Sequence, residues 1–565
     1  MVIALAATWV AVRGLQARSE LAAAQRLLPA LRSQIVQGDT AAATRSLAAL
    51  TQETTRAHGL TDDPVWRAFA HVPVVGRSLR TSSGLAAAAA DLAHDVLPAL
   101  VRAGHQLGPA HLRTGATIEL QPFVDALPAL DQAAAQSRAV LTQVQALPGN
   151  GLVHQVADAR TALLAQLTTL VSSTGTAATA AALTPDMLGA HGPRTYFLAF
   201  QNNAEARGTG GLMGAFGVAV ADKGTITVTR TGTDSQLSQY AKPVVSLGAE
   251  YDGIYGASAE TDLREANLSP HFPDAATIWA AMWQRQSKHP VDGVLALDPV
   301  AMAGILAATG PATLPDGTHV TGTDVVQLTE QKAYDHFTDP SVRKQFLQLV
   351  AHAMFDQLMT GGGSPKALLT GLGSAVGAGH LRLWSAHPAE QTRLATLPVA
   401  GELISTPGPY AQLVVNNAAG GKLDYYLGRA LTYTASPCTT GHRASTITVT
   451  LTNGAPPSGL SAYALTRADK PAHAYPPGQN RTLVSVYAAL GARLTSATLD
   501  GRPVTMQATT ERGHPRFSRY LELDPASSGT LVLHLVEPSV AGGATMPVQP
   551  LVIPQVTHVS VPDCR

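Results

Sequence analysis

The 565-residue chain is poor in charge, in aromatic residues and in cysteine. Charged side chains make up 14% of it and aromatic side chains 5%, and the first lysine is Lys223. An average soluble domain has about 25% charged residues. Because charge is scarce in this chain, each cluster of charged groups is a stronger candidate for a functional site. Lysine and arginine together number 39, as do aspartate and glutamate. Because the chain has no excess of basic charge, we expect no nucleic-acid partner.

A hydrophobic run long enough to span a bilayer is also missing. The first residues, MVIALAATWVAV, are apolar and end at Arg13, whereas a spanning helix needs ~20 residues and a secretory signal begins with basic residues. We interpret residues 1–14 as a truncated transmembrane or signal anchor, and the alternative is the start of a buried helix. With an anchor, the chain is a single-pass protein of the cell membrane whose bulk is extracytoplasmic.

Only two cysteines occur, Cys438 and Cys564. In an exported protein such a pair can form a disulfide that ties the C-terminal segment to a β-domain. In a cytosolic protein they would be two ordinary buried thiols. Their pairing therefore depends on the compartment.

The motifs of several common enzyme classes are missing as well. GTGGLMG lacks the spacing of a dinucleotide fingerprint and precedes a predicted strand where a helix is required. GGKLD has Leu423 where a P-loop has serine or threonine. There is no G-x-S-x-G motif, and the 19 histidines have no metal-ligand spacing. We therefore predict no cofactor and no transition metal.

The hydrophobic pattern predicts a multidomain α+β protein. Leucine and alanine at intervals of three and four residues indicate an Ala-rich helical stalk or bundle over 15–175. The segment SSTGTAATAAALTP (172–185) has the composition of a linker. Alternating strands and helices indicate an α/β core over 186–397, and short strands between turns indicate an immunoglobulin-like β-sandwich over 405–565.

The stretch NNAEARGTGG (202–211) follows the predicted strand TYFLAF, and we interpret it as a polar loop between two strands. Its members of interest are Asn202, Asn203, Glu205, Arg207, Gly210 and Gly211. One alternative is an ion pair between Glu205 and Arg207 that pins the loop. The other is that Arg207 binds a phosphate or carboxylate, with the two glycines letting the backbone approach the anion closely.

A second arginine is placed for the same chemistry. In DPSVRKQFLQLVAHAMFDQLM the apolar stripe includes Phe346 and Val350, and Arg343 lies one turn before Phe346 on that stripe. It therefore points inward, at the first turn of a helix where free backbone N–H groups favour an anion. The alternative is a salt bridge to an acid of the sheet. If Glu205 orients Arg207, both arginines face one cavity and could hold a diphosphate.

Several segments resemble the domain-of-unknown-function family 4012, predicted membrane-anchored proteins of high-GC Gram-positive bacteria and their relatives. They are RTYFLAFQNNAEARGTGGLMGAFGVAV, ANLSPHFPDAATIWAAMW, VDGVLALDPVAMAGILAATGP and NNAAGGKLDYYL. The resemblance extends over nearly the whole chain. It implies a cell-envelope protein held by an N-terminal anchor, and it implies no activity.

The order of elements in the core also resembles the LytR-CpsA-Psr phosphotransferases, which move glycopolymers from polyprenyl pyrophosphate carriers to peptidoglycan. That resemblance rests on RTYFLAF, on VDGVLALDPVAMAGILAATGP and on DPSVRKQF, and it implies that Arg194, Arg207 and Arg343 hold pyrophosphate. Those enzymes have an aspartate after the first arginine that helps to place magnesium, and this chain has Thr195 there. Magnesium would be needed only for catalysis.

Together these resemblances imply that the chain binds, or binds and transfers, a polyprenyl-phosphate-linked cell-wall glycan. The alternative is a non-enzymatic scaffold that holds other envelope proteins. If the chain is an enzyme, it is a glycopolymer phosphotransferase.

Overall fold

The computed structural model describes residues 2–73, 75–360, 365–465 and 467–564. The chain divides into two compact units, Met1–Pro193 with Ala221–Thr225, and Arg194–Val220 with Ile226–Arg565. The first unit is mainly helical, and the second combines helices with β-sheets. The fold is therefore mixed α+β, with a helical N-terminal region and a β-rich C-terminal half. The finer division into an anchor, a stalk, an α/β core and a sandwich stays a prediction.

The first unit is built from long helices and one short hairpin. In chain order its elements are α1 (Val2–Gln37), α2 (Thr40–Thr61), α3 (Pro64–Phe69), α4 (Gly76–Asp91), α5 (Leu97–Gln106), β1 (Arg113–Thr114), β2 (Thr117–Ile118), α6 (Gln121–Gln145) and α7 (His154–Met187). A π-helical turn, Leu92–Val96, joins α4 to α5. Asp39 caps α2, because its Oδ1 accepts a hydrogen bond from the backbone N–H of Ala42. Buried alanines such as Ala86 and Ala99 let the helices approach closely.

The linker predicted at 172–185 is wrong, because α7 continues through it. The hydroxyls of Thr174 and Thr184 donate to backbone carbonyls four residues earlier, at 2.8 and 2.7 Å. These side chains therefore bond along the helix instead of breaking it. Ala178 and Ala181 are buried, so packing against neighbouring helices overrides the linker-like composition.

Among the described residues, one helix is long and apolar enough to cross a membrane by length and composition, the stretch Gly76–Gln106, although no such run is expected from the sequence. Of its most apolar window, 44% is buried inside the structure, where the helix packs against α2 and α6. A core helix meets the same criterion, so this stretch is weakly compatible with a single membrane span. The segment that we interpret as the anchor lies at the start of α1, and Met1 lies outside the described residues.

The first half of the second unit places helices around a mixed sheet. Its elements are β3 (Arg194–Arg207), β4 (Gly210–Asp222), β5 (Thr225–Thr233), α8 (Ala249–Tyr255), α9 (Phe272–Ser287), β6 (Gly293–Leu297), α10 (Pro299–Thr309), β7 (Ala312–Thr313), β8 (His319–Val320), α11 (Val325–Gln327), α12 (Ala333–His336), α13 (Pro340–Thr360), α14 (Pro365–Ala378), β9 (Leu381–Ser385) and α15 (Pro388–Leu394). The strand order is β5-β4-β3-β6-β9, with β6 parallel to β3 and β9 antiparallel to β6. Phe197, Phe216 and Trp279 are buried in the core beside the sheet.

The polar loop predicted at 202–211 is wrong as well. β3 runs on to Arg207 and β4 begins at Gly210, so the stretch is the end of one strand, a turn at Gly208 and Thr209, and the start of the next strand. We expected a loop because the stretch is polar, but its polar side chains are bonded inside the protein and so do not need solvent.

The second half of the unit consists of two sheets. Its elements are β10 (Ala411–Asn417), β11 (Leu427–Ala435), β12 (His442–Asn453), α16 (Ala462–Leu465), β13 (Asn480–Ala488), β14 (Arg493–Leu499), β15 (Arg502–Pro503), β16 (Gln507–Glu511), β17 (His514–Leu523), β18 (Ser528–Pro538) and β19 (Val556–Ser560). The sheet orders are β10-β13-β17-β16 and β15-β14-β18-β12-β11-β19. Both sheets contribute to one hydrophobic core that includes Val415, Val486 and Leu533. An immunoglobulin-like relationship stays a prediction.

A disulfide joins Cys438 to Cys564, with the two Cα atoms 5.5 Å apart. It lies at the end of the sheet where β19 runs parallel to β11. Arg443 lies beside it and donates to the backbone carbonyl of Pro562 at 2.7 Å. The C-terminal segment is thus fastened to the sheet by a covalent bond and by hydrogen bonds.

Candidate functional site

The candidate site is a pocket in the second unit that encloses about 850 Å³ of empty space, its open mouth included. Its lining includes apolar side chains, those of Phe200, Leu212, Leu297, Met302, Leu347 and Val350. It also includes charged side chains, those of Glu205, Asp234, Asp298, Glu330, Arg343, Lys344 and Lys422. Two tyrosines, Tyr334 and Tyr463, are part of the lining as well. A cavity lined by both apolar and charged side chains suits an amphiphilic ligand.

The pocket forms where β3 loses a neighbouring strand. The last residue of β3 that pairs with β6 is Phe200, and beyond it two carboxylates accept the backbone N–H groups. The N–H groups of Asn203 and Ala204 donate to Glu330 at 3.2 and 2.7 Å. Further along, the N–H of Ala206 donates to Asp424 at 2.8 Å. Side chains thus replace a strand at this edge and leave room for a cavity.

Glu330 is only 1% exposed. Burial is the main reason that its pKa rises to about 8, and the nearby charge of Lys422 and the N–H donor of Ala204 only partly oppose the rise. This environment therefore favours the protonated form of the Glu330 carboxyl group more than water does. Burial also raises the pKa of Asp424, against hydrogen bonds from Asn480 and from the backbone of Ala206.

Glu205 forms a buried ion pair with Lys422. The distance from Lys422 Nζ to Glu205 Oε2 is 2.6 Å, and the ammonium group also lies 4.4 Å from the ring centre of Tyr334. Burial alone would lower the pKa of Lys422, but Glu205 and the tyrosines outweigh it and raise that pKa. The prediction that Glu205 orients Arg207 is therefore wrong, since the carboxylate is held by a lysine far away in the sequence.

Asp298 lines the pocket, and its carboxylate is held by several hydrogen bonds, one of them from Asn203. Asp298 caps α10 by accepting the N–H groups of Val300 and Ala301 at 3.0 Å. Its other oxygen accepts from the Asn203 side chain at 3.0 Å and lies 2.6 Å from Nδ1 of His380. All these contacts fix the carboxylate of Asp298 in place.

Asn202 supports the aromatic part of the lining. Its amide donates to the hydroxyl of Tyr334 at 2.7 Å. Its carbonyl oxygen accepts the backbone N–H of Ala204 at 3.0 Å. Both asparagines of the polar stretch therefore hold the wall of the pocket together.

Arg343 points inward from the first turns of α13 and is 2% exposed. Its guanidinium carbon lies 4.1 Å from the ring centre of Tyr463 and 4.8 Å from that of Tyr334. One N–H donates to the backbone carbonyl of Phe337 at 3.0 Å. Among the described residues no acid lies within ion-pair distance of it, so the alternative of a salt bridge to the sheet is wrong.

Arg207 does not line the pocket. It is buried, and its guanidinium lies 3.0 Å from Glu265 and donates to the backbone carbonyls of Arg264 and Ala206, both at 3.1 Å. Because these acceptors occupy its donors, Arg207 holds two segments of the chain together. The structure thus corrects the expectation that Arg207 and Arg343 face one cavity.

Arg194 lies at the opposite end of β3 and is also engaged by acids. It pairs with Glu390 at 3.0 Å and with Asp292 at 3.4 Å, and His387 lies against it. Asp292 in turn accepts the backbone N–H of Thr195 at 2.7 Å. The three arginines named from the sequence therefore do not converge, and only Arg343 reaches the pocket.

Gly210 and Gly211 permit close packing between β3 and its surroundings. A Cβ atom on Gly211 would lie 2.1 Å from the backbone oxygen of Asn202, and one on Gly210 would lie 2.7 Å from the side chain of Gln201. Gly210 also has a φ of 138°, which favours glycine. The glycines thus serve the strand pair, and the expectation that they approach a bound anion is not supported by their position.

Sequence reasoning missed Lys422, Glu330 and the two tyrosines. Lys422 and Asp424 are charged residues inside the otherwise uncharged run NNAAGGKLDYYL. In a chain with so little charge, that pattern could have marked them as buried and paired. Glu330 has no comparable signal, since TEQKAYDHF has the polarity of an exposed helix.

The comparison with protein families bears on this part of the chain. The model of a family described as a protein of unknown function (DUF4012) matches residues 191–334. That segment belongs to this family. It includes Asn202, Glu205, Asp298, Glu330 and Tyr334 of the pocket, whereas Arg343, Lys422 and Tyr463 lie outside the matched residues.

No curated protein and no solved structure matches the chain. Within the part of the chain that the structure describes, no group of three or more histidine, cysteine, aspartate or glutamate side chains is placed to hold a metal ion. The similarity to the LytR-CpsA-Psr phosphotransferases therefore stays a hypothesis.

Proposed function

We propose that this chain is a membrane-tethered, extracytoplasmic envelope protein whose pocket binds a polyprenyl-phosphate-linked cell-wall glycan. The observation that carries the proposal is the position of Arg343, a buried cation in the pocket wall without an acidic partner among the described residues. The rings of Tyr334 and Tyr463 and the carbonyl of Phe337 compensate part of its charge, and a bound phosphate would compensate the rest. Arginine is also the side chain best suited to phosphate.

The apolar part of the pocket lining supports a lipid as the rest of the ligand. Leu297, Met302, Leu347 and Val350 are branched or flexible apolar side chains that line the same pocket as Arg343. Isoprenoid chains are apolar and would be stabilised by burial there. A ligand with a phosphate beside an isoprenoid tail would match both the charged and the apolar side chains of the lining.

Two features support an extracytoplasmic position at a membrane. The start of α1 exposes Leu5, Trp9 and Val12, which are 64%, 45% and 45% exposed, as a membrane-associated helix would. The disulfide between Cys438 and Cys564 is typical of oxidising compartments. We propose residues 1–14 as the anchor, with the remaining chain outside the cytoplasm.

The proposal includes a core related to the LytR-CpsA-Psr fold and an immunoglobulin-like C-terminal sandwich, but it is confined to binding. Thr195 stands where the phosphotransferases have an aspartate, and Arg194 is engaged by Asp292 and Glu390. Phosphoryl transfer needs groups that neutralise the developing charge. Arg343 alone would neutralise less of the developing negative charge than three converging arginines would.

The rival function is a scaffold in envelope assembly. It is favoured by the ion pairs of Arg194 and Arg207, since a scaffold has no need of free cations. A scaffold does not, however, account for the unpaired and buried Arg343 in an open pocket. We therefore prefer ligand binding.

Binding of a polyprenyl phosphate to the purified chain tests the proposal. Affinity should fall by roughly tenfold or more in Arg343→Gln, because a charge-assisted contact is lost, while Arg207→Lys outside the pocket should keep its affinity. The uncharged polyprenol serves as the matched ligand and should bind both variants and the wild type equally. If the wild type binds no polyprenyl phosphate, or if Arg343→Gln binds it as tightly as the wild type, the scaffold is the better description.

A further inference from the structure

The pocket wall carries three cations, and two of them are already neutralised. Lys344 Nζ lies 2.7 Å from Asp234 Oδ1, and Lys422 Nζ lies 2.6 Å from Glu205 Oε2. Both acids belong to the same wall as the lysines that they neutralise. Arg343 is therefore the one cation of this wall, among the described residues, whose charge is left for a ligand.

The two remaining acids of the pocket, Asp298 and Glu330, bring no positive charge that could bind a second negative charge of a ligand. Asp298 accepts two backbone N–H groups and the side chain of Asn203. Glu330 accepts the backbone N–H groups of Asn203 and Ala204. The backbone N–H groups and the Asn203 amide that donate to these two acids are used inside the protein, so they cannot also bind a phosphate. An anion with two or more charges would find one cation beside two carboxyl groups.

From this arrangement we propose that the pocket selects a headgroup with a single negative charge, a phosphodiester between the lipid and its sugar, over a diphosphate. The inference rests on the proposed function of the same pocket and names its ligand class more closely. A phosphodiester keeps one charge at neutral pH, whereas a phosphate monoester carries about 1.5 to 2 and a diphosphate carries more. One guanidinium can form a bidentate contact with one phosphate group.

A variant at Asp234, the partner of Lys344, should change which headgroup the pocket prefers without destroying the pocket. Asp234→Asn removes the acid that neutralises it and leaves a second free cation in the wall, and both side chains are partly exposed, so folding should survive. That variant should gain affinity for ligands with more charge. Asp62→Asn is the matched control, because it breaks the exposed ion pair between Asp62 and Arg67 in the first unit and should change nothing.

The experiment measures the affinity of three probes with one tail, farnesyl phosphate, its methyl diester and farnesyl diphosphate, with and without magnesium. In the wild type the diester should bind roughly tenfold more tightly than the diphosphate, and in Asp234→Asn this preference should shrink or reverse. A wild type that prefers the diphosphate, with or without magnesium, would overturn the inference and leave the proposed function standing. If none of the three probes binds, the proposed function itself fails.

Discussion

Glu205 and Lys422 form a buried ion pair with 2.6 Å between Nζ and Oε2, although Arg207 lies only two residues from Glu205 on the same strand. Arg207 pairs instead with Glu265. Each charged residue of the polar stretch is thus matched by a partner from another part of the second unit. The polar stretch at the end of β3 thus binds other segments of the second unit, and Glu205 and Arg207 each pair with a different one.

The first prediction concerns the ion pair of Glu205 and Lys422. Lys422→Met should lower the free energy of unfolding by about 3–5 kcal/mol, because it leaves an uncompensated carboxylate in a buried position. The double variant Glu205→Gln with Lys422→Met should be more stable than Lys422→Met alone, since no charge is left unpaired. Urea unfolding of the two single variants and the double variant gives the coupling energy. Strictly additive effects would contradict a direct pair.

The second prediction separates Arg207 from Arg343. Arg207→Lys should melt at a lower temperature, because lysine cannot reproduce the fork that reaches Glu265 and two backbone carbonyls. Its affinity for polyprenyl phosphate should stay unchanged, since Arg207 does not line the pocket. Arg343→Lys should weaken that affinity. Melting temperature and affinity are measured on both variants, and an unchanged melting temperature with lost affinity in Arg207→Lys would contradict the assignment.

The local features of this site could be predicted from the sequence, and its partners could not. The inward position of Arg343 follows from residues within one or two turns of the same helix. The carboxylates that bind β3 come from residues 127 and 218 positions away in the sequence. The hydrophobic pattern within one segment carries no information about such distant pairs, so the sequence of the C-terminal end of β3 has the character of a solvated loop.

The linker prediction failed for a related reason. Serine, threonine and glycine mark loops when nothing else decides the conformation, but Ala178 and Ala181 of α7 are buried against other helices. Tertiary packing contributes more to helix stability than intrinsic propensity does. The helical character of the N-terminal region was predictable, whereas the continuity of α7 depended on its neighbours.

The third prediction is a pH dependence caused by Glu330. Its pKa is about 8 in the folded protein, above the ordinary value of about 4.3 for a glutamate, so the folded state keeps a proton that the unfolded state loses between these values. This contribution to stability is fully present below the ordinary pKa and is lost as the pH rises through 8. A difference of one between the folded and unfolded pKa values corresponds to about 1.4 kcal/mol of stability.

Glu330→Gln should therefore flatten the decline of stability between pH 5 and 8, a range bounded by roughly those two pKa values. The measurement is the free energy of unfolding in urea at several pH values for wild type and variant. Burial raises the pKa of Asp274 to about 7. This also lowers the stability of both proteins as the pH rises, so it cancels when the stability of the variant is subtracted from that of the wild type. Equal slopes for the two proteins would show that Glu330 is ionised in the fold.

The fourth prediction concerns the disulfide of Cys438 and Cys564. Protein isolated without reductant should show no free thiol by mass spectrometry. Cys564→Ser should lower the free energy of unfolding by ~2–4 kcal/mol, because the bond restricts the unfolded chain. The hydrogen bond from Arg443 to Pro562 should keep the C-terminal segment near its sheet in that variant. Two free thiols in the isolated protein would contradict the prediction and would also weaken the case for export.

The last prediction decides which segment meets the membrane. If residues 1–14 are the anchor, positions after Thr61 and after Gly108 both lie outside the cytoplasm, and reporter enzymes that are active only outside should work at both positions. If instead Gly76–Gln106 spans the bilayer, the two positions lie on opposite sides, because the helix between them would cross once. We expect the first result, since that helix buries Ala86, Ala93 and Ala99 against its neighbours, and side chains used in packing are not free to face lipid. A reporter after Gly108 that is active only in the cytoplasm would overturn the proposed topology together with the extracytoplasmic function.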